Sequence, residues 1–283
     1  MKKADINKPA FTMYPKSVKF LGDYPHKVLK QSKNKKLSKD KLPVIKKGEF
    51  KGYVIYTLTL EERATCPREC YHWDDCYGNN MMFAHRIEHG EQLERRISLE
   101  VKELCETYKG VIIRLHVLGD FYSVQYVELW QSLLARFDNL AVWGFTGRTY
   151  TSDIGRAIKT VKDLFGSRFS VRFSNAPNIK FSANSADLYK PVKGESLVCP
   201  EQTGKSESCA TCTVCWSAPD KQVLFLTHWD KRGDTKFYGD SLKVTLHNIS
   251  GAGSDGTIGG GCESRGDHQQ NKNKCSPARP FIN

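Results

Sequence analysis

The chain has 283 residues, 39% of them hydrophobic and 26% charged, enough for one large α/β domain or two smaller ones. Its lysine-rich start leads into no apolar stretch of the signal-peptide kind, and no apolar run is long enough to cross a bilayer, which favours a soluble, cytoplasmic protein over secreted and membrane classes. The net charge of +12 is concentrated: residues 1–47 hold fourteen lysines and no arginine against Asp5, Asp23 and Asp40, and the remainder is close to neutral.

Residues 1–50 therefore read as a lysine-rich N-terminal arm. With Phe11, Tyr14, Phe20 and Tyr24 scattered through it, such an arm suits a polyanion such as DNA, held by phosphate contacts and counterion release. A solvating tail is the plainer alternative. No helical amphipathic period accompanies the lysines, so a membrane surface fits less well.

From Gly52 the composition changes. Residues 53–60, YVIYTLTL, form a first strand and run into Cys66, Cys70 and Cys76. Residues 79–108 favour helix, broken near Gly90, with Lys109 and Gly110 closing it. In the central strand, 111–117, Val111, Ile113, Leu115 and Val117 make an apolar face, Arg114 and His116 a polar one, and Asp120 stands at the exit. Ser123 then caps a helix bearing Tyr126, Val127, Trp130, Leu133, Leu134 and Phe137 at helical spacing. A strand over 140–145 ends at Thr146, Gly147 and Arg148, and Ser152 or Asp153 caps a helix through Ile154, Ile158, Val161, Leu164 and Phe165. Residues 168–175 alternate again, Phe169, Val171 and Phe173 opposing Arg168, Ser170, Arg172 and Ser174. Residues 223–227 and 242–248 read as two further strands, and 251–283 as a Gly-rich loop or tail in which Cys262 and Cys275, with His268 between them, are more simply surface thiols than a metal site.

Strand and helix alternate at intervals suited to right-handed crossovers, which makes the fold α/β. Polar strand faces in a sheet covered on both sides would go unsatisfied. Residues 51–250 are therefore expected to form a TIM-like (β/α) barrel, regular or incomplete, with a cysteine-rich insertion at 199–215. Asp120, Arg148 and Asn175 would then meet at its C-terminal mouth. An open doubly wound sheet is the alternative, but no glycine-rich dinucleotide fingerprint or phosphate loop follows any strand.

The ten cysteines fall into groups of three, four and two with Cys105 apart, which points to metal sites in a reducing compartment; Cys105 itself reads as a core residue. Cys209, Cys212 and Cys215, at two-residue gaps, can converge on one ion with Cys199 or His228 as fourth ligand. Zinc is favoured, and ferredoxin-like iron–sulfur ligation stays open. Cys66, Cys70 and Cys76 follow the first strand, where radical S-adenosylmethionine enzymes, also barrels, place their cluster ligands. The usual C-x3-C-x2-C spacing is not met, because the second gap is five residues. Thiols packed under a loop held by Trp73 and Tyr77 are the alternative.

RLHVLGDF at the central strand, FTGRT at 145–149, RFSN at 172–175 and the late cysteine group together resemble the phage DNA-guanine transglycosylase family called DpdA, distant relatives of tRNA-guanine transglycosylase, over roughly residues 52–226. The tRNA enzymes use a tighter C-x-C-x2-C followed by His. The resemblance implies exchange of guanine in DNA for a free, preQ0-like 7-deazaguanine base, shielding phage DNA from restriction. Asp120 would be the nucleophile at the sugar carbon, with His116 and Arg114 tuning it. Arg148 would bind phosphate or the base edge, and Ser174 and Asn175 the substrate. The second acid/base group is unassigned, with Asp75 and Asp187 as candidates. The target base must be flipped out or single-stranded. Alternatives are a radical iron–sulfur enzyme built on the early cysteines, or a non-catalytic zinc-stabilised DNA-binding module.

Overall fold

The computed structural model describes residues 11–186 and 188–226. Nine strands occur among them: β1 (Val18–Lys19), β2 (Val54–Thr57), β3 (Arg86–Ile87), β4 (Val111–Leu115), β5 (Leu140–Thr146), β6 (Phe169–Ser174), β7 (Ser182–Ser185), β8 (Ser196–Val198) and β9 (Gln222–Phe225). The α-helices are α1 (Glu62–Thr65), α2 (Glu91–Thr107), α3 (Val124–Arg136), α4 (Asp153–Phe165), α5 (Cys209–Cys212) and α6 (Val214–Ser217). Seven strands make one sheet in the order β2-β4-β5-β6-β7-β9-β8, every pair parallel, while β1 and β3 form a separate parallel pair.

From β2 to β7 each new strand of the sheet joins the same edge, so there is no switch point of the doubly wound kind. Helices α2, α3 and α4 accordingly share one face. Their apolar stripes (Leu93, Ile97 and Val101; Tyr126, Trp130 and Leu134; Ile158 and Val161) pack with Val111, Ile113, Leu115, Val142, Phe169 and Val171 in a single core. Each large side chain taken fully out of water there contributes about 1.5–3 kcal/mol. Two caps stand where the sequence places them: Ser123 Oγ accepts from the Tyr126 N–H, and Ser152 Oγ from the Gly155 N–H.

The opposite face is filled largely by apolar side chains, with Arg114 and Arg172 among them, instead of opening into the lumen expected. Ile55, Ile112, Ala141 and Trp143 meet Leu37, Ile45 and Phe50 from the N-terminal segment and Ala210 and Trp216 from the late cysteine segment, in a second apolar core. Over residues 11–50 the lysine-rich segment thus packs onto the domain. Buried carboxylates tie it down: Glu100 on α2 accepts from the Val28 and Leu29 N–H groups at 2.8 Å each, and Glu61 from the Thr12 N–H at 2.9 Å. Some lysines also have carboxylate partners, Lys27 with Glu103 and Lys39 with Glu207.

The strand expected over 223–227 is β9, whereas 242–248, His228, Asp187 and the 251–283 tail lie outside the described residues. No helix among the described residues is long and apolar enough to cross a membrane.

Candidate metal centre at the strand exits

Asp120 sits just past β4 and is 3% exposed. Its Oδ1 accepts from the Phe121 N–H and the Thr146 hydroxyl, and its Oδ2 from the Gly147 N–H, all at 2.7 Å. Its own N–H donates to Thr65 Oγ1 at 3.2 Å. Arg148 completes the knot by donating from Nε to the Phe121 carbonyl at 2.8 Å and from Nη2 to the Thr65 carbonyl at 2.6 Å. The exits of β4 and β5 are thereby pinned to the residue immediately before Cys66. Burial pushes the Asp120 carboxyl up to about 6, against the downward pull of the Thr146 hydroxyl, Arg148 and the two N–H groups.

Next to this knot the early cysteines gather. Cys66, Cys70 and Cys76 line one recess with Glu62, Arg63, His72 and Trp73. A Cβ on Gly147 would stand 3.5 Å from Asp120 Oδ2 and 3.8 Å from Cys70 Sγ, so the strand exit and the cysteine loop leave room for no more than a methyl group between them. The five-residue gap before Cys76 is taken up by a turn: the Trp73 N–H donates to the Cys70 carbonyl at 3.1 Å, and His72 Nε2 lies 3.1 Å from Ser185 Oγ on β7. Arg63 donates to the Trp73 carbonyl and its guanidinium lies 4.7 Å from the Trp73 ring centroid; Arg68 is 5.9 Å from it. Trp73 is 2% exposed, and its indole N–H has no partner among the described residues. Burial raises the thiols, Cys70 to about 11 and Cys66 well above the ordinary range, with the Asp120 charge adding to both.

The rest of the loop hangs on Arg86. Fully buried, it donates to Glu62 Oε2 at 2.8 Å, Ser17 Oγ at 3.0 Å and the carbonyls of Gly78, Met81 and Ala84.

Of the late cysteines, Cys209 and Cys215 pack against the apolar cluster on the face of the sheet away from α2, α3 and α4. Cys199, Cys209 and Cys215 each feel the charge of thiols in this group, and burial lifts Cys209 to about 12. Arg172, also fully buried, clamps this segment through five carbonyls: Cys215 at 2.9 Å, Lys221 and Ala218 at 2.7 Å, and Ser182 and Val214 at 3.3 Å. Among the described residues, no group of three or more His, Cys, Asp or Glu side chains stands arranged to hold a metal ion.

One expected site residue is placed differently. His116 does not share a face with Arg114: β4 ends at Leu115, strand alternation stops there, and His116 turns to the helix side. Its Nε2 lies 3.1 Å from the Tyr126 hydroxyl and its ring 5.1 Å from Phe121, and burial depresses its pKa to about 3. Asn175, at φ 51°, accepts the Ser185 N–H on its Oδ1 at 3.0 Å and so joins β6 to β7. Asp75 is exposed and pairs with His72 at 3.3 Å. Ser174, at the end of β6, is half-buried and pairs with Ala183 of β7. Cys105 is a core residue of α2, as expected. Trp73, named in the sequence beside these thiols, lines the recess, and so does His72, which its place between Cys70 and Cys76 could have signalled.

Compared with protein-family models, curated protein sequences and solved structures, the chain matches none.

Proposed function

We propose that this chain is an iron–sulfur enzyme of the radical S-adenosylmethionine kind, built on an incomplete (β/α) barrel, with Cys66, Cys70 and Cys76 as cluster ligands. The observation that carries this proposal is the meeting of three thiols and one unpartnered indole N–H in a single recess beside the β4 and β5 exits. A parallel sheet that adds strands in one direction with its helices on one face gathers its strand exits around a single mouth. Cys66, Cys70 and Cys76 would hold such a cluster, which would supply electrons for radical chemistry. The chain's own groups suit the task. Trp73 can donate its N–H to a sulfur, Arg63 and Arg68 set positive charge beside a negative centre, and the Asp120–Arg148 knot holds the loop's start rigid. Cluster ligands stand farther apart than the roughly 3.8 Å that a 2.3 Å Zn–S bond and tetrahedral angles require, so three thiols need not close on a single ion.

With Cys199, Cys209, Cys212 and Cys215 in one segment clamped by Arg172, we assign a structural zinc to them, for which the four thiols would have to draw together around the ion. Anaerobic reconstitution followed by iron, sulfide and zinc analysis tests both assignments. Wild-type protein should take up iron with matching sulfide, and Cys66→Ala, Cys70→Ala or Cys76→Ala should abolish it. Folded wild-type protein free of iron after reconstitution would refute the enzyme.

A second reading, DNA-guanine transglycosylation, draws on the Asp120 carboxyl lifted to about 6 at a strand exit. Asp120 would then attack the sugar carbon, with DNA and a free 7-deazaguanine base as substrates. It ranks second because three donors already occupy the carboxylate oxygens. Incorporation of labelled guanine into DNA by iron-free protein, abolished in Asp120→Ala, would establish it; no incorporation would remove it.

A further inference from the structure

Among the described residues, large apolar side chains stand in water on two short segments: Phe11, Met13 and Phe20 on one, and Tyr77, Met82 and Phe83 on the other. Phe11, Phe20 and Phe83 are 77%, 64% and 73% exposed. The two segments form one body. β1 pairs with β3, Val18 with Arg86 and Lys19 with Ile87. Arg86 Nη1 donates to Ser17 Oγ at 3.0 Å and to the Met81 and Ala84 carbonyls at 3.0 and 3.1 Å, so the turn bearing Met82 and Phe83 stands against the turn bearing Lys16. The Tyr14 hydroxyl donates to the Asn79 carbonyl, and Asn79 Oδ1 accepts from Arg63 Nη2 at 3.1 Å. Arg63 lines the early-cysteine recess, and a Cβ on Gly78 would lie 3.4 Å from Cys76 Sγ. The surface that bears these side chains therefore reaches the rim of the recess.

The charges beside the rings are of one sign. Residues 11–22 hold Lys16 and Lys19 and no acid, and residues 77–87 hold His85 and Arg86 and no acid. Glu88 follows, with its carboxylate already accepting the Leu21 N–H. Lys19 Nζ reaches the Lys16 carbonyl at 3.3 Å, and Lys30 Nζ meets the Tyr24 hydroxyl and His85, so no carboxylate among the described residues neutralises either lysine. Exposed rings beside such cations complement a partner that is flat and apolar in one part and anionic in another. Unstacked bases on a phosphate backbone have both properties. A duplex offers the phosphates but keeps its base faces stacked away. An anionic membrane fits less well, because the rings stand on turns and a two-stranded ribbon, with no amphipathic helix to lie along a bilayer.

We propose that this surface binds a single-stranded polynucleotide, with Phe20 and Phe83 stacking on bases and Lys16 and Lys19 contacting phosphates. The proposal rests on the function argued above for one point, that the recess at its rim is the reacting centre; the strand is then that centre's substrate. The surface is separate from the lysines of residues 33–47, a stretch that holds no aromatic residue and can attract a polyanion through charge alone.

The test follows the fluorescence anisotropy of end-labelled single strands of mixed sequence, one RNA and one DNA, on the full-length protein across a salt series, with a DNA duplex of the same sequence as third probe. Wild type should bind a single strand more tightly than the duplex, and the ratio of the two single-strand affinities tells RNA from DNA. Phe20→Ala and Phe83→Ala should each weaken that binding at least about fivefold, the low end of what one stacked base contributes. Lys16→Gln should flatten the slope of log K against log salt by about 0.7, the worth of one phosphate contact. Leu164→Ala, a change at an exposed apolar residue of α4, should alter neither. All four positions are exposed, so the variants keep the fold, which thermal melting checks. Ring variants that bind like wild type would reduce the interaction to charge and overturn the site. So would a duplex bound as tightly as the single strands, no binding at all, or rings needed instead for self-association or for sedimentation with phosphatidylserine vesicles. Iron is measured in the same samples: single-strand binding by protein that takes up no iron removes the cluster assignment alone, and iron uptake without binding removes this surface alone.

Discussion

Replacing Asp120 with asparagine tests whether its carboxylate is the anchor of the strand exits. The wild-type side chain accepts at both oxygens, from Phe121 and Thr146 on one and from Gly147 on the other. Asparagine keeps the first pair on its carbonyl oxygen but turns an NH2 toward the Gly147 N–H. One hydrogen bond is lost and a buried donor is stranded, a cost of about 1–3 kcal/mol. The wild type carries a pH-dependent term that the variant lacks. Burial holds the Asp120 pKa at about 6, above its ordinary 3.8, so the folded state binds the proton more tightly than the unfolded chain. Stability from this group is therefore complete below about pH 4 and is lost as pH rises through about 6, a total of about 3 kcal/mol. Urea unfolding of wild type and Asp120→Asn at matched pH values should show the wild-type advantage narrowing by about that amount between roughly pH 4 and pH 7. A constant difference would refute the reasoning, and a widening one would mean that the three donors outweigh burial.

Arg172→Met should strip five carbonyls of their donor and cost about 3–5 kcal/mol, read as a lower urea midpoint; an unchanged midpoint would contradict the clamp. Gly144→Ala should prevent β4 and β5 from pairing, because a Cβ there would lie 1.4 Å from the Leu115 carbonyl oxygen, and circular dichroism of a soluble, folded alanine variant would disprove it. Trp73→Phe keeps a ring in the recess and removes the unpartnered N–H. Iron uptake should survive while the reduction potential falls, since a hydrogen bond to sulfur stabilises the reduced cluster; an unmoved potential would show that the indole donates elsewhere.

Much of the frame was legible in the chain itself. Ser123 and Ser152 cap their helices because a short hydroxyl side chain ahead of an apolar period has one favourable use. The alternation of Phe169, Val171 and Phe173 with Ser170 and Arg172 set the two faces of β6 correctly. What failed has physical causes. Strand alternation carries no information past a strand's last residue, so His116 fell on the wrong side of the sheet. In the lysine-rich segment Leu21, Val28, Leu29, Leu37 and Ile45 follow no period, and the groups that hold it, Glu61 and Glu100, lie tens of residues away. Charge dominated the local signal while burial was decided by distant partners. β7 and β8 read SANS and SLV, too polar and too short to register, and they exist because neighbouring strands supply their hydrogen bonds. Asp120 stood out as central, yet whether its carboxylate reacts or anchors depended on donors more than twenty residues further on.

The central claim, that the three early cysteines hold a redox cluster at the mouth of the sheet, is tested most directly by counting iron. Wild-type protein reconstituted without oxygen should hold about four irons per chain at the early group, should lose them in Cys70→Ala, and should keep them in Cys105→Ala, a change in the core of α2. Wild-type protein that folds, melts cooperatively and takes up no iron would contradict the account.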